Sequence, residues 1–193
     1  MLMEQLIRQN RSYRRFYQDF FIAGDNLKYF VNLARLSPSA RNAQPLKYYI
    51  SNTESTNQKI FECLSWAGYL KDWEGPEQGE RPSAYIVVLG DHQVADDFFC
   101  DHGIAAQSIL LGAVEKGFGG CIIASVNRDK LCDYLELESH YEILLVIALG
   151  KPRETVVLNE VKDDGDIRYW RDNHRIHHVP KRKLEQIIVN PDL

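Results

Sequence analysis

Residues 101–124 read DHGIAAQSILLGAVEKGFGGCIIA, and the way this stretch divides decides the fold. The run from Phe98 to Leu111 is apolar or small nearly all round, which predicts a long helix opened by Asp96 or Asp97. Phe98, Ile104, Ala105, Ile109 and Ala113 crowd one side of it. Gly117 stands where helices end on a left-handed residue, and a strand follows over 118–125. A surface helix of a monomer keeps a polar face, so this one is either the centre of its domain or packed on a partner chain. The glycines of Gly117-Phe118-Gly119-Gly120 close a helix and open a strand. A dinucleotide fingerprint needs the opposite order, with the pyrophosphate at a helix N-terminus, so a Rossmann reading is excluded. Here the glycines allow backbone amides of the strand to approach a flat ligand closely.

Outward from this stretch, Ala84–Gly90 and Ile143–Leu149 are apolar at consecutive positions, as in strands covered on both faces. Residues 1–9 form a short helix carrying Leu2, Leu6 and Ile7. A second helix runs from an Asp25 N-cap to Leu36, with Leu27, Phe30, Val31 and Ala34 on one face. It stops before Pro38, because the residue preceding proline leaves the α region. A strand over 46–51, a helix from Thr53 or Ser55 to about Trp66, a helix over 128–136 and a short element over 182–189 complete the set. The segment 68–83 holds Gly68, Gly75, Pro76, Gly79 and Pro82 among acids and reads as a loop or lid. With no repeat and no domain boundary, residues 1–193 read as one α+β domain, helices packed on both sides of a mostly buried sheet.

Composition narrows the function. Of 193 residues, 45% are hydrophobic and 26% charged, which excludes wholesale disorder. The net charge of −4 disfavours a nucleic-acid binder or a protein held broadly on a membrane surface. The longest apolar run, Ile143–Leu149, is far short of the roughly 18 residues a spanning helix needs, and no signal-peptide pattern is present. Cys63, Cys100, Cys121 and Cys132 form no C-x-x-C pair and read as buried, reduced thiols. These features place the chain in the cytoplasm. Its cations are concentrated: Arg8, Arg11, Arg14 and Arg15 near one end, and Arg168, Arg171, Arg175, Lys181, Arg182 and Lys183 near the other. That distribution points to a local anion site rather than a polyanion track.

Three constellations carry chemistry. In Arg11-Ser12-Tyr13-Arg14, two guanidinium forks and a hydroxyl suit a phosphate. Ser37-Pro38-Ser39-Ala40-Arg41-Asn42-Ala43-Gln44-Pro45 is a turn between helix and strand whose amides present donors and acceptors to the edge of a polar heterocycle. His174, His177 and His178 lack a carboxylate or Cys at a recognised metal spacing, so the lysines that follow them read as cations for an anionic ligand.

Taken in order, these segments resemble the FMN-dependent nitroreductase family. The matching motifs are Arg11-Ser12-x-Arg14, Pro38-Ser39-x-x-Asn42-x-Gln44-Pro45, Asp101-x-Gly103-x-Ala105, Gly117-x-Gly119-x-Cys121, Ala148-x-Gly150-x-Pro152 and Val179-Pro180-Lys181-Arg182. The resemblance implies a three-layer α-β-α sandwich with a mostly antiparallel central sheet, in an intertwined homodimer with FMN at the subunit interface. By position, Arg11, Ser12 and Arg14 would hold the FMN phosphate and ribityl end, joined by Lys181 and Lys183. Ser39, with Pro38 and Asn42, would contact the flavin from the other subunit, and Ile122, Ile123 and Ala124 would pass its N5 edge. Many relatives carry an aromatic residue and glycine where this chain has Ile122-Ile123-Ala124. The loop 66–83, with Trp66, Tyr69, Lys71 and Trp73, would shape the substrate pocket.

The activity implied is hydride transfer from NADH or NADPH through FMN to an electron-poor small molecule such as a nitroaromatic or quinone, in ping-pong order. No side-chain acid or base and no metal is required. The alternatives are a reductive dehalogenase or enone reductase of the same family, or a flavin-binding protein without turnover.

Overall fold

A computed structural model of the chain describes residues 2–70, 72–162 and 165–190; Lys71 lies outside them. Its elements in chain order are α1 (Met3–Gln9), β1 (Phe16–Tyr17), α2 (Gly24–Arg35), β2 (Leu46–Ser51), α3 (Glu54–Phe61), β3 (Ala84–Asp91), α4 (Asp101–Glu115), β4 (Gly119–Ile123), α5 (Arg128–Leu135), β5 (Tyr141–Pro152), β6 (Val156–Glu160), β7 (Trp170–Arg171) and β8 (His177–Lys181). The central sheet is antiparallel throughout. In it β5 pairs β3 along one edge and β4 along the other, β2 lies outside β3, and β1 takes the C-terminal end of β5.

Period-two alternation sorts the apolar strands into two cores, as a strand covered on both faces requires. Ala84, Ile86 and Val88 face a cluster with Leu27 and Phe30 of α2 and Ala106 and Ile109 of α4. Tyr85, Val87 and Leu89 face a second cluster with Ile60 of α3 and Leu131 and Leu135 of α5. The result is the α-β-α sandwich that the sequence implies. Phe30, Leu27, Ile60 and Leu131 are wholly buried, each contributing about 1.5–3 kcal/mol through removal of its side chain from water.

One irregularity keeps both cores in register. Val88 pairs with Leu145 but Leu89 pairs with Ile143, leaving Leu144 as an extra residue in β5. Ile143 and Leu145 therefore point to opposite cores despite their even spacing. The bulge frees carbonyls from the ladder, and Arg128 of α5 takes them: its Nε donates to the Ile143 oxygen at 2.8 Å and its Nη2 to that of Leu144 at 3.2 Å.

The central helix is shorter at its start than the sequence predicts. It begins at Asp101, because Asp97 turns its carboxylate onto the Phe99 amide at 2.8 Å and holds the preceding residues in a turn. Phe98 lies outside the helix, with its ring edge-on to His92. Most of α4 is already covered within one chain; Gly103 and Gln107 are its exposed positions before the last residue. Gly117, with φ of 77°, ends it as expected. Other bounds also move. The second helix starts at Gly24, so Asp25 sits in its first turn rather than at the cap, and α3 ends at Phe61 rather than Trp66. The C-terminal short element is a single 3-10 turn over Leu184–Gln186. Cys100 is exposed, unlike the other three thiols. A small sheet of β6, β8 and β7, which no periodicity announces, carries the C-terminal segment. Among the described residues, no helix is long and apolar enough to cross a membrane.

Candidate functional site

The arginine-rich segment is laid against β4. Ser12 bridges to Gly120, and the Tyr13 amide donates to the Gly120 oxygen at 3.0 Å. Gly120 is needed there: a Cβ would meet the Ala148 carbonyl oxygen at 2.5 Å. Burial pushes the Cys121 thiol up, while Arg14 and Ser12 beside it pull the other way.

From this position Arg14 reaches the C-terminal segment. Its Nη1 lies 3.3 Å from His177 Nε2, and its guanidinium stands over the Tyr169 ring, 5.0 Å from the centroid. Glu154, buried, accepts from the Arg14 amide and from Arg171 Nη2, the latter at 3.1 Å. Arg171 in turn stacks on Trp73 of the 66–83 loop at 4.7 Å, and Tyr69 of the same loop meets Tyr169. Next to it, Arg15 forms a buried ion pair with Glu80 that ties β1 to the end of the same loop.

This cluster is rich in donors without acceptors. Arg11 Nε, Arg171 Nε and His177 Nδ1 are buried and have no hydrogen-bond partner among the described residues. Burial lowers the basicity of Arg11, and of Arg171 despite its Glu154 partner. It pushes His177 down to about 4, with the charges of Arg14 and Arg171 adding to the effect, so the ring is neutral at pH 7. Desolvated cations with free N–H groups are what an anionic group would satisfy, so the residues present fit the phosphate of the implied cofactor.

The second constellation forms a separate wall. Ser39 Oγ donates to Asp101 Oδ2 at 2.6 Å and accepts from the Gln44 amide, while the Ala40 amide donates to Asp101 Oδ1 at 2.9 Å. The buried Asp101 carboxylate thus holds a turn in which Arg41, Asn42 and Gln44 all have positive φ, between 53° and 56°. Pro38, Ser39, Gln44, Tyr48 and Asp101 line a cavity of about 160 Å³. Burial first, and the Asp101 charge second, push the Tyr48 hydroxyl up to about 12, so it stays a donor.

The structure separates other expected site residues. In β4 the Ile122 side chain is exposed and Ala124 follows it at the surface, whereas Ile123 is buried in the α5-side core and offers only its backbone. Lys181 and Lys183 are exposed, and Lys183 lies 4.0 Å from Glu160. Lys181 is four strand residues beyond His177, about 13 Å along β8, so one chain brings His177 rather than Lys181 to Arg14. Glu154 and Tyr169 were not singled out from the sequence, and Arg171 only as one of the cations concentrated near the C-terminus. Of the three histidines weighed as metal ligands, His178 lies between Asn159 Oδ1 and Asp172 Oδ2, at 3.0 and 3.2 Å, stacked on Trp170.

The model of the Nitroreductase family matches residues 7–151. Over 157 residues the chain is 25% identical to an Archaeoglobus fulgidus protein provisionally named NADH dehydrogenase/NAD(P)H nitroreductase, covering 77% of this chain and 85% of that one. A nitroreductase family protein from Clostridium novyi NT superposes with a TM-score of 0.66 at 20% identity, over 93% of this chain and 95% of that one. An FMN-dependent nitroreductase from Clostridium difficile R20291 does so with a TM-score of 0.65 at 22% identity, over 79% and 88%. At these identities the structural likenesses show a shared fold.

Proposed function

The chain belongs to the nitroreductase family, and on that footing we propose that it is an FMN-dependent NAD(P)H oxidoreductase acting on electron-poor small molecules. The observation that carries this reading is the pair of buried, unpartnered N–H groups of Arg171 and His177 beside Arg14, with a third on Arg11 in the same N-terminal segment. Arg11, Ser12 and Arg14 would hold the phosphate, with Arg171 and His177 joining them. Bound there, FMN would supply hydride transfer between NADH or NADPH and an acceptor such as a nitroaromatic or quinone.

The chain's own residues bind and orient. Glu154 fixes Arg14 and Arg171 from the side away from solvent. Gly120 keeps β4 thin, so that the backbone of Ile122 and Ile123 and the exposed Ile122 side chain can border a flat ring. Pro38, Ser39 and Asn42, in the turn braced by Asp101, would contact the ring from a second copy of the chain. A homodimer is supported by apolar side chains left exposed at both ends: Leu2, Met3 and Ile7, and Leu184, Ile187 and Val189. Lys181 and Lys183, apart from the Arg14 cluster in one chain, would reach the phosphate only across such a pairing. The working unit is then two single-domain chains in the cytoplasm.

The purified protein should be yellow and release FMN rather than FAD. Anaerobic addition of NADH or NADPH should bleach it within seconds, and a nitroaromatic should restore the colour. Released FAD, no flavin uptake on reconstitution, or a flavin indifferent to both nucleotides would overturn the reading.

A further inference from the structure

A larger cavity, of about 770 Å³, opens on the α3 side of the sheet and shares no residue with the sites above. Its floor is the start of β3. Arg81 and Ser83, in the bends that lead into β3, and Tyr85, the second residue of that strand, all line it. Each carries a buried polar atom without a hydrogen-bond partner among the described residues: Arg81 Nε, Ser83 Oγ and the Tyr85 hydroxyl. Ser83 is 8% exposed and Tyr85 not at all. The surrounding polar groups are already engaged. Asn57 of α3 accepts from Ser51 Oγ at 2.7 Å and donates to the Ser83 carbonyl at 2.8 Å. Gln58 accepts from Arg81 Nη1 at 2.8 Å, and that guanidinium lies on the Phe61 ring, 4.2 Å from its centroid. Burial raises the Tyr85 phenol well above its ordinary range, against the pull of Arg81, so it remains a donor.

Three unfilled donors, one of them cationic, belong to residues that line one cavity, and among the described residues none of them has an acceptor. Orphaned buried donors are costly unless a ligand satisfies them. Phe61 and the exposed Phe21 offer apolar walls, while Asp19 and Glu54 stand exposed on the lining and repel a second negative charge. We infer that this cavity binds a small monocarboxylic acid, its carboxylate on Arg81, Ser83 and Tyr85 and its apolar body against Phe21 and Phe61. The binding is independent of the flavin, and Arg81, resting on Phe61, shifts to admit the carboxylate.

The test is calorimetric titration of the purified chain, with whatever flavin it carries, using benzoate, benzyl alcohol and phthalate. Benzoate should saturate one site per chain with the flavin absorption unchanged. Benzyl alcohol and phthalate should bind at least about tenfold more weakly, the first lacking the charge and the second carrying one too many. Tyr85→Phe and Ser83→Ala should each weaken benzoate about tenfold, and Tyr85→Phe should leave the melting temperature of the ligand-free protein unchanged or higher. Should Tyr85→Phe not fold, Ser83→Ala and Arg81→Met decide alone. Absent saturation, equal affinity in the variants, or benzoate that perturbs the flavin band and competes with a nitroaromatic would each overturn the proposal. A chain that binds benzoate at this cavity but takes up no flavin would uphold it while refuting the proposed activity.

Discussion

Arg14 Nη1 and His177 Nε2 lie 3.3 Å apart across 163 residues of chain, joining the N-terminal arginine segment to β8. The contact is between a permanent cation and a ring held neutral by burial and by that cation. Its consequence is a pH dependence of stability. In the unfolded chain His177 titrates near 6.5, in the folded chain near 4. Between those values the unfolded state binds more protons, so stability is fully present above about pH 6.5 and is lost as the pH falls toward 4. The loss is at most about 1.4 kcal/mol per pH unit within that window. Thermal unfolding from pH 7.5 to 4.5 should show it, and His177→Gln should flatten the curve there. Inorganic phosphate, a counter-charge for the cluster, should reduce the loss in the unsubstituted protein.

Truncating Arg14 to Ala should weaken FMN about tenfold to a hundredfold, since a charge-assisted hydrogen bond contributes about 1.5–3 kcal/mol. Riboflavin, without the phosphate, should bind both proteins nearly equally. Lys28→Ala, at an exposed cation of α2 that lies 4.0 Å from Asp25 and lines neither cavity, serves as the control for net charge. Lys181→Ala separates one chain from two. A loss comparable to that of Arg14→Ala means a second copy delivers the lysine; no loss confines the phosphate site to the cluster around His177. Fluorescence quenching of the free flavins measures all four.

Asp101→Asn should destabilise the protein by about 1–3 kcal/mol, because the amide cannot accept from both Ser39 Oγ and the Ala40 amide in the present geometry. The damage should be local to the turn of Arg41, Asn42 and Gln44, whose positive φ values need bracing. A lower melting temperature with an unchanged unfolding slope in urea checks this. Ser39→Ala, which leaves the Ala40 contact, should show a smaller effect in the same direction.

Gly103 is exposed on α4, and among the described residues no atom lies within 4 Å of where its Cβ would stand. Gly103→Arg should therefore leave the single chain folded, with an unaltered far-ultraviolet spectrum. If this face of α4 meets a second copy, the same change should convert the dimer to monomer and release the flavin. Sedimentation velocity at micromolar concentration reads both outcomes.

The strands were legible because buried runs such as Ala84–Gly90 have only one low-energy use in a chain of this size. The start of α4 was not, because Asp97 and Asp101 are both competent to open a helix; the choice fell to Asp97 bonding the Phe99 amide. The small C-terminal sheet hid for a different reason. Val156–Glu160 is only half-buried and β7 has two residues, so neither shows a period. In the site, Arg11, Ser12 and Arg14 were readable as a local cluster. Their juxtaposition with Glu154 and His177 was not, since contacts over 140 residues or more leave no local trace.

Leu144 acts on β5 as an inserted letter acts on a reading frame: counting by odd and even fails across it, and two origins are needed to say which side chain enters which core. Removing Leu144 itself would restore a single count, with Ile143 still opposite Leu89 and every core side chain on its own side. Removing Val146 instead would set Leu145 opposite Val87 and Leu144 opposite Val88, turning Leu145 from its own core into the other. The strand thus carries one place where its length is adjustable, and Arg128 is the side chain that marks it.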